Sequence, residues 1–193
     1  VDGAVAAAQS DAMPALALTD LNNFFGLIKF YKAARGAGIK PIAGCDMFIS
    51  NDADRDRPHR LLLLCQSGAG YLLLCRLLSR AYLENQHRGR AELRREWLHE
   101  GTDGLIALSG AHLGDVGTAL LSGNAAQAGQ FAREWAGLFN NRYYLEVQRA
   151  GFADEEHRSL AATQLAAELG LPVVATHPVQ FLTAEDFKAH EAR

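Results

Sequence analysis

Hydrophobic residues recur along the chain in six short runs of β type, separated by longer segments with helical periodicity. The short runs predict strands over residues 14–18, 41–49, 61–65, 104–108, 143–147 and 172–176. The longer segments predict helices over residues 22–34, 69–83, 116–121, 125–139 and 155–169. The predicted strands are too far apart along the chain for us to expect hairpins between them. The alternation therefore predicts an α/β fold with a parallel sheet covered by helices.

Local signals define the ends of the last predicted helix and strand. Asp154 is expected to cap the helix over 155–169, and Gly170 followed by Pro172 to end it. The apolar run 171–175 is typical of a strand that is buried on both faces.

Polar segments over residues 50–60 and 86–95 predict connections between elements. No linker rich in Pro, Gly or Ser divides the chain, which predicts a single domain over residues 1–193. The chain opens at Val1 with no strand before it, and residues 184–192 have a helical pattern. We therefore expect a fragment of a longer chain, incomplete at both ends.

The composition, with 49% hydrophobic and 21% charged residues, is typical of a globular protein with one sizeable core. A net charge of −3 gives no general attraction to nucleic acid. Cys45, Cys65 and Cys75 form no CxxC pair and lie in apolar surroundings, which indicates buried reduced thiols in a cytoplasmic protein. No signal peptide and no run of about 18 apolar residues is present, so we expect neither secretion nor membrane insertion.

Other constellations in the sequence are interpreted as structural. A cluster of arginines could face DNA phosphates, but interspersed glutamates favour a solvated helix face. The cluster contains Arg76, Arg80, Arg88, Arg90, Arg94 and Arg95. Aromatic residues of the first predicted helix are interpreted as core and interface positions: Phe24, Phe25, Phe30 and Tyr31. No Walker loop, GxGxxG or GxSxG motif is present, which argues against nucleotide-binding and serine-hydrolase classes.

Residues 13–49 predict a strand, a helix and a strand, with Thr19-Asp20 at the first strand end, where α/β folds place their chemistry. The strings GIKPIAG, GYLLL, LIALSG, YYLEVQ and LPVVAT follow in order along the chain. Together these strings resemble the PHP (polymerase and histidinol phosphatase) domain of the DNA polymerase III alpha subunits, the replicative polymerases of bacteria. The resemblance covers nearly the whole chain and is strongest to the proteobacterial branch.

This resemblance implies a PHP-type distorted (β/α)7 barrel, similar to a TIM barrel. It also implies a parent polymerase whose nucleotidyl-transfer site, with Mg²⁺, lies in a later palm domain outside this chain. Active PHP domains hold a cluster of metal ions, which neutralise phosphate oxygens and activate water. At the aligned ligand positions this chain keeps Asp20 and Asp46, which we interpret as vestigial. Other aligned positions hold side chains that do not bind metals: Leu21, Arg60, Ala111, Pro178 and Gln180.

Three histidines are the remaining metal candidates, because each lies one residue from an expected ligand: His59, His112 and His177. A shift of one residue on a strand turns a side chain to the opposite face, so we expect surface or structural roles for them. Asp20 is expected to cap the following helix or to hydrogen-bond with Asn22. We therefore predict no catalytic residue, no cofactor-binding residue and no resident metal in this domain.

The leading hypothesis, implied by the resemblance, is a catalytically inactive structural and interaction domain in chromosomal DNA replication. It would support the polymerase core and dock the proofreading exonuclease (epsilon) subunit beside other replicase subunits, meeting DNA through the parent polymerase. The alternative is a metal-dependent phosphoesterase or 3′–5′ exonuclease in which Asp20, Asp46 and the shifted histidines hold Zn²⁺ or Mn²⁺. Both hypotheses imply a cytoplasmic protein without a membrane partner.

Overall fold

The computed structural model of the chain describes residues 1–151 and 154–187. The helices are α1 (Asp2–Ser10), α2 (Leu27–Gly36), α3 (Gly68–Glu84), α4 (Asp115–Leu121), α5 (Ala125–Phe139) and α6 (Glu155–Leu169). Short 3-10 helices cover Arg95–Glu100, Ala111–Leu113 and Ala184–Asp186. The strands are β1 (Ala15–Leu18), β2 (Lys40–Ile49), β3 (His59–Cys65), β4 (Gln86–His87), β5 (Arg90–Ala91), β6 (Leu105–Leu108), β7 (Tyr143–Gln148) and β8 (Val173–Thr176). The strands predicted from the sequence are all confirmed, with ends within two residues of the predicted ones.

Six strands form one mixed sheet in the order β1-β2-β3-β6-β7-β8. Five of them run in the same direction, and β3 is antiparallel to both of its neighbours. The prediction of a parallel sheet without hairpins was therefore wrong at β3. The connection over residues 50–58 is shorter than the dozen or more residues that a crossover between parallel strands needs, so β2 and β3 pair directly. The curled sheet forms half of a barrel, which agrees with the distorted barrel that the resemblance implies.

The main core lies between the sheet and the helices. Alternate residues of β2 and β3 are buried in it: Cys45, Met47, Ile49, Leu61 and Leu63. Leu74 of α3 and Trp135 and Phe139 of α5 pack against them. α3 approaches the start of β6 so closely that a Cβ on Gly70 would lie 1.8 Å from the carbonyl oxygen of Gly104. Glycine is therefore required at residue 70 for α3 to reach the sheet.

One helix start and one whole helix differ from the sequence prediction. α2 begins five residues later than expected, because the Asn22 side chain is held by other elements. Its Nδ2 donates to the carbonyl oxygen of Ala91 at 2.5 Å, and its Oδ1 accepts from the amide of Phe48 at 3.2 Å. α1 was not predicted; its alanine-rich sequence has high helix propensity, although its amphipathic pattern is weak.

The carboxylate predicted to cap the start of α6 does not do so, and a neighbouring carboxylate bonds with the segment before the helix. Asp154 precedes α6 in the left-handed region, with φ 68°, and its side chain makes no cap hydrogen bond. Instead, the carboxylate of Glu155 accepts from the amides of Ala150 at 2.6 Å and Gly151 at 2.8 Å. The prediction of a side-chain cap by Asp154 was therefore wrong. Gly170, with φ 66°, ends the helix as expected.

The segment predicted as a polar connection over residues 86–95 contains the β4-β5 hairpin and a fully buried glutamate, Glu92. Its carboxylate accepts from Arg55 Nε at 3.0 Å, from Arg90 Nε at 3.1 Å and from the Ser50 hydroxyl at 3.1 Å. A buried charge is tolerated only when it is paired and hydrogen-bonded in this way. The cluster therefore fixes the connection before β3 against the hairpin.

The last part of the sheet is more exposed than the sequence indicates. Among the described residues β8 pairs with β7 alone, and Val173 is 39% exposed, so the prediction of a strand buried on both faces was wrong. The helix predicted over 184–192 is described only at the 3-10 turn Ala184–Asp186, and residues 188–192 lie outside the described residues. None of the helices within the described ranges is long and apolar enough to cross a membrane.

The three cysteines are free thiols, as expected. Cys45 is buried between sheet and helices, whereas Cys65 and Cys75 are half-buried. Burial raises the pKa of Cys45 to about 12 and the pKa of Cys65 to about 11. The prediction of buried thiols is confirmed fully for Cys45 and partly for the other two.

Candidate functional site

Polar side chains gather at the edge of the sheet where β1, β2, β6, β7 and β8 end. Because β3 runs in the opposite direction, it begins at this edge and places Arg60 beside the end of β2. Asp20 follows β1, Asp46 lies in β2, Glu146 lies in β7 and Thr176 ends β8. In barrels of α/β units, the carboxyl ends of the strands carry the functional residues. This edge is therefore the candidate site.

Arg60 binds the carboxylate of Asp46 in a bidentate ion pair. Arg60 Nε donates to Asp46 Oδ1 at 2.9 Å, and Arg60 Nη2 donates to Asp46 Oδ2. The guanidinium also lies over the ring of Phe48, 5.0 Å from its centroid. The two side chains are only 20% and 26% exposed, so water screens their attraction less than at an open surface. A positive charge supplied by the protein itself thus satisfies Asp46.

Glu146 is a buried carboxyl group at the same edge, and it was not among the site residues predicted from the sequence. Its Oε1 accepts hydrogen bonds from the Thr176 hydroxyl and, at 3.0 Å, from Gln148 Nε2. Burial raises the pKa of Glu146; these hydrogen bonds lower it in part, and the negative charge of Asp46 raises it. The sequence signal that could have revealed Glu146 is a single acidic residue inside the apolar strand run YYLEV.

Asp20 lies beside Asp46, but the two residues meet through their main chains. The amide of Asp46 donates to the carbonyl oxygen of Asp20 at 3.1 Å. The Asp20 carboxylate faces Gly26, where a Cβ would lie 3.2 Å from its Oδ2. α2 begins at Leu27 without a side-chain cap, and the Asn22 side chain bonds with other residues. The helix-capping and Asn22-bonding roles expected for Asp20 were therefore wrong.

The three candidate histidines form no metal-ligand group with these carboxylates among the described residues. His59 precedes Arg60 on β3 and therefore points to the opposite face, where burial lowers its pKa although the Asp115 carboxylate lies nearby. His112 lies in the turn after β6, where burial also lowers its pKa. His177 follows β8. Across residues 1–151 and 154–187, no group of three or more His, Cys, Asp or Glu side chains could hold a metal ion.

The residues at this edge do not fit the metal cluster of active PHP domains. Asp46 already binds a guanidinium, and a metal ion beside it would meet the positive charge of Arg60 at short range. The Oε1 atom of Glu146 already accepts hydrogen bonds from Thr176 and Gln148, and burial raises the pKa of this carboxyl group. The edge is therefore built as an ion pair with an adjoining hydrogen-bond network.

A cavity of about 210 Å³ adjoins this edge between β7, α4 and α6. Its apolar wall includes Val116 and Val147, and His112, His157 and Arg158 contribute polar groups. Ser109 and Glu146 also line it. The cavity is thus an extension of the candidate site towards the helix layer.

Another buried carboxylate, Asp115, lies between the sheet and α5. It accepts hydrogen bonds from Trp135 Nε1 at 2.9 Å and from Arg95 Nη2. The nearby Tyr143 is fully buried, and its hydroxyl meets no partner with hydrogen-bond geometry among the described residues, although the Ser109 side chain lies close enough to lower its pKa in part. Burial raises the pKa of Tyr143 well above its ordinary value. The bonds of Asp115 to α5 and to the 3-10 helix before β6 indicate a structural role.

A barrel-like sheet with polar residues at its carboxyl edge is the arrangement that the resemblance implied. The sequence matches the family described as "PHP domain" over residues 1–150, and the chain belongs to this family.

The similar proteins are large polymerase subunits. The chain is 47% identical over 182 residues to the "DNA polymerase III subunit alpha" of Pseudomonas fluorescens, covering 94% of this chain and 15% of that protein. It is 49% identical over 192 residues to that of Neisseria meningitidis, covering 98% of this chain and 17% of that protein. It is 45% identical over 181 residues to that of Escherichia coli K12, covering 94% of this chain and 16% of that protein. The chain thus spans about one sixth of the length of these relatives.

The fold is similar to a crystal structure of a proposed metal-dependent phosphoesterase from Bifidobacterium adolescentis. The TM-score is 0.50 at 12% identity, covering 90% of this chain and 80% of that one. At this identity the likeness concerns the fold alone, and it agrees with the distorted barrel.

Proposed function

We propose that the chain is the PHP domain of a DNA polymerase III alpha subunit and acts in DNA replication as a catalytically inactive structural and interaction domain. It supports the polymerase core and docks the proofreading exonuclease subunit. Nucleotidyl transfer with Mg²⁺ and contact with DNA belong to other parts of the polymerase. The observation that carries the proposal is the ion pair between Arg60 and Asp46.

The chemistry of this ion pair explains why we propose an inactive site. Metal sites hydrolyse phosphate esters because a bound metal ion lowers the pKa of its water and stabilises the developing charge. A guanidinium supplies charge, but it offers no coordination position and does not act as a base near neutral pH. Glu146 accepts hydrogen bonds from its neighbours and is buried. These side chains stabilise one another instead of presenting a nucleophile.

Similarity to polymerase subunits over 94–98% of the chain supports the assignment to a replicase. A polymerase whose PHP site is inactive requires its 3′–5′ proofreading from another protein. A domain that has its own buried core and carries exposed apolar side chains is suited to hold such a partner. The docking role follows from this division of labour.

The inactive site is tested by metal analysis and hydrolysis. The intact subunit is analysed for Zn and Mn by mass spectrometry, and excision of a labelled primer strand is measured with added Mn²⁺ or Zn²⁺ and with chelator. We expect far less than one metal ion per chain and no chelator-sensitive excision. The matched control is Asp46→Asn, which removes the one carboxylate that binds Arg60. Stoichiometric metal, together with excision that is abolished in this variant, would establish the alternative phosphoesterase or exonuclease function.

The docking role is tested separately by titration calorimetry of the intact subunit with the purified exonuclease subunit of the same replicase. We expect a 1:1 complex. No heat of binding and no co-elution in gel filtration would refute docking, whereas the inactivity of the site would stand.

A further inference from the structure

The outward face of α2, together with the turn before it, carries a stripe of exposed apolar side chains. Phe25 is 90% exposed, Ile28 is 62% exposed and Tyr31 is 48% exposed. Ile28 and Tyr31 are three residues apart and lie on one side of the helix, and Phe25 lies in the turn just before it, three residues ahead of Ile28. The opposite side of α2 is buried through Leu27 and Phe30. The stripe is therefore not needed to hold α2 on the sheet.

The turn before α2 presents Phe25 to solvent in a fixed position. The amide of Phe25 donates to Asn23 Oδ1 at 3.0 Å, and Asn23 Nδ2 donates to the carbonyl oxygen of Leu21 at 2.8 Å. The preceding residue, Phe24, turns inward and packs on Tyr71 with ring centroids 5.6 Å apart. Two consecutive phenylalanines thus point in opposite directions, and the turn holds the backbone of the exposed one.

Positive charges lie within the same stripe. Lys32 and Arg35 follow Ile28 and Tyr31 by four residues each, and the Arg35 guanidinium lies 5.9 Å from the centroid of the Tyr31 ring. Within the described ranges no carboxylate forms an ion pair with Lys32 or Arg35. Lys29, at the margin, binds the Asp2 carboxylate at 2.9 Å. The stripe therefore complements a surface that has both apolar and acidic side chains.

We propose that this α2 face, defined by Phe25, Ile28, Tyr31, Lys32 and Arg35, binds an acidic amphipathic segment of a partner protein. The inference rests on the docking part of the proposed function and assigns that role to one surface. Apolar side chains of the partner cover Phe25 and Ile28, and its carboxylates pair with Lys32 and Arg35 at the rim. A central apolar patch with charged residues around it is the usual construction of a protein interface.

Single-stranded nucleic acid is the competing ligand for a surface with aromatic and basic side chains, but it fits less well. Binding of bases requires successive aromatic platforms. Phe25 lies in the turn before α2 and Tyr31 lies within α2, and the aliphatic Ile28 stands between them in the stripe. A partner helix or extended peptide can use all three side chains together.

The test measures binding of the exonuclease subunit to intact polymerase subunits by titration calorimetry. Phe25→Ser combined with Ile28→Ser is expected to weaken binding about tenfold or more, because both side chains are buried on docking. The matched control is Leu72→Ser with Leu83→Ser on α3, which removes two other exposed leucines and is expected to leave binding unchanged. Unfolding midpoints identify any variant that loses its fold.

A second variant, Lys32→Glu with Arg35→Glu, tests the acidic character of the partner. It is expected to weaken binding and to reduce the loss of affinity that added salt causes in the wild type. Equal affinity of wild type and the Phe25/Ile28 variant would overturn the inference, while docking itself would stand. Tighter binding of the charge-reversed variant would overturn the acidic partner. Loss of primer-strand binding in the Phe25/Ile28 variant, with exonuclease binding unchanged, would assign the face to nucleic acid.

Discussion

Replacing Arg60 by methionine is expected to destabilise the domain by about 2 kcal/mol. Methionine keeps the length of the apolar part of the side chain, so packing over Phe48 is largely retained while the charge is removed. Asp46 is left without its guanidinium, and the free-energy cost is that of an unpaired, partly shielded carboxylate.

The magnitude follows from the exposure of the pair. Exposed ion pairs contribute about 0–1 kcal/mol, whereas removal of one partner from a fully buried pair costs about 3–5 kcal/mol. Arg60 and Asp46 are 20% and 26% exposed and form two hydrogen bonds, which places them between these limits. A matched control is Arg57→Met, because Arg57 meets Asp54 at 3.6 Å with 87% of its side chain exposed. This control is expected to change stability by less than about 0.5 kcal/mol.

The measurement is urea unfolding followed by circular dichroism. For a slope of about 2 kcal/mol/M, the midpoint of Arg60→Met shifts down by about 1 M. Adding Asp46→Asn removes the unpaired charge, so the double variant is expected to lose less than the sum of the two single variants. If Arg60→Met unfolds at the same midpoint as Arg57→Met, the ion pair does not stabilise this edge and the reasoning is refuted.

Three further predictions concern buried groups. The pKa of Glu146 is raised above 4.5 in the folded protein, so between its unfolded and folded pKa values the unfolded chain binds fewer protons than the folded one. The free energy of unfolding therefore falls as pH rises through this range, and Glu146→Gln is expected to remove that part of the decline in urea midpoints. Tyr143→Phe removes a buried hydroxyl that lacks a partner, and calorimetric unfolding is expected to show a gain of about 1 kcal/mol. Cys45, with its pKa near 12, is expected to resist alkylation at pH 8 in the folded protein, as mass spectrometry of peptides would show.

Each of these three has a clear contrary outcome. An unchanged pH profile in Glu146→Gln would mean that this carboxyl ionises normally. A loss of stability in Tyr143→Phe would mean that its hydroxyl is bonded in solution. Alkylation of Cys45 as fast as that of the half-buried Cys75 would show that the sheet opens at this strand.

The pattern of the sequence predicted where strands and helices occur, because hydrophobic periodicity is a local property. The run over 143–147 and the helix Ala125–Phe139 are examples. The direction of β3 was missed because it depends on the length of a connection, and a polar connection has no periodicity. The start of α2 was missed because Asn22 bonds with Ala91, which is 69 residues away.

The candidate site was predicted only in part for the same reason. The loss of metal ligands at residues 21 and 60 could be recognised from the resemblance, residue by residue. The ion pair between Arg60 and Asp46 could not be predicted in this way, because it depends on which side chains of β2 and β3 share a face. Glu146 was missed because its partner Thr176 lies 30 residues away on another strand. Contacts between distant segments are set by packing, and a single sequence does not display them.

The reversed direction of β3 changes which part of the chain controls the site. On the other strands of the sheet, insertions in the loop after the strand would alter the edge. Arg60 is the second residue of β3, so it lies directly after the connection before the strand, and its pairing with Phe48 fixes it beside β2. That connection is anchored through Arg55 to the buried Glu92. An insertion in this connection would therefore change the surroundings of the ion pair between Arg60 and Asp46, although the connection contributes no residue to the pair.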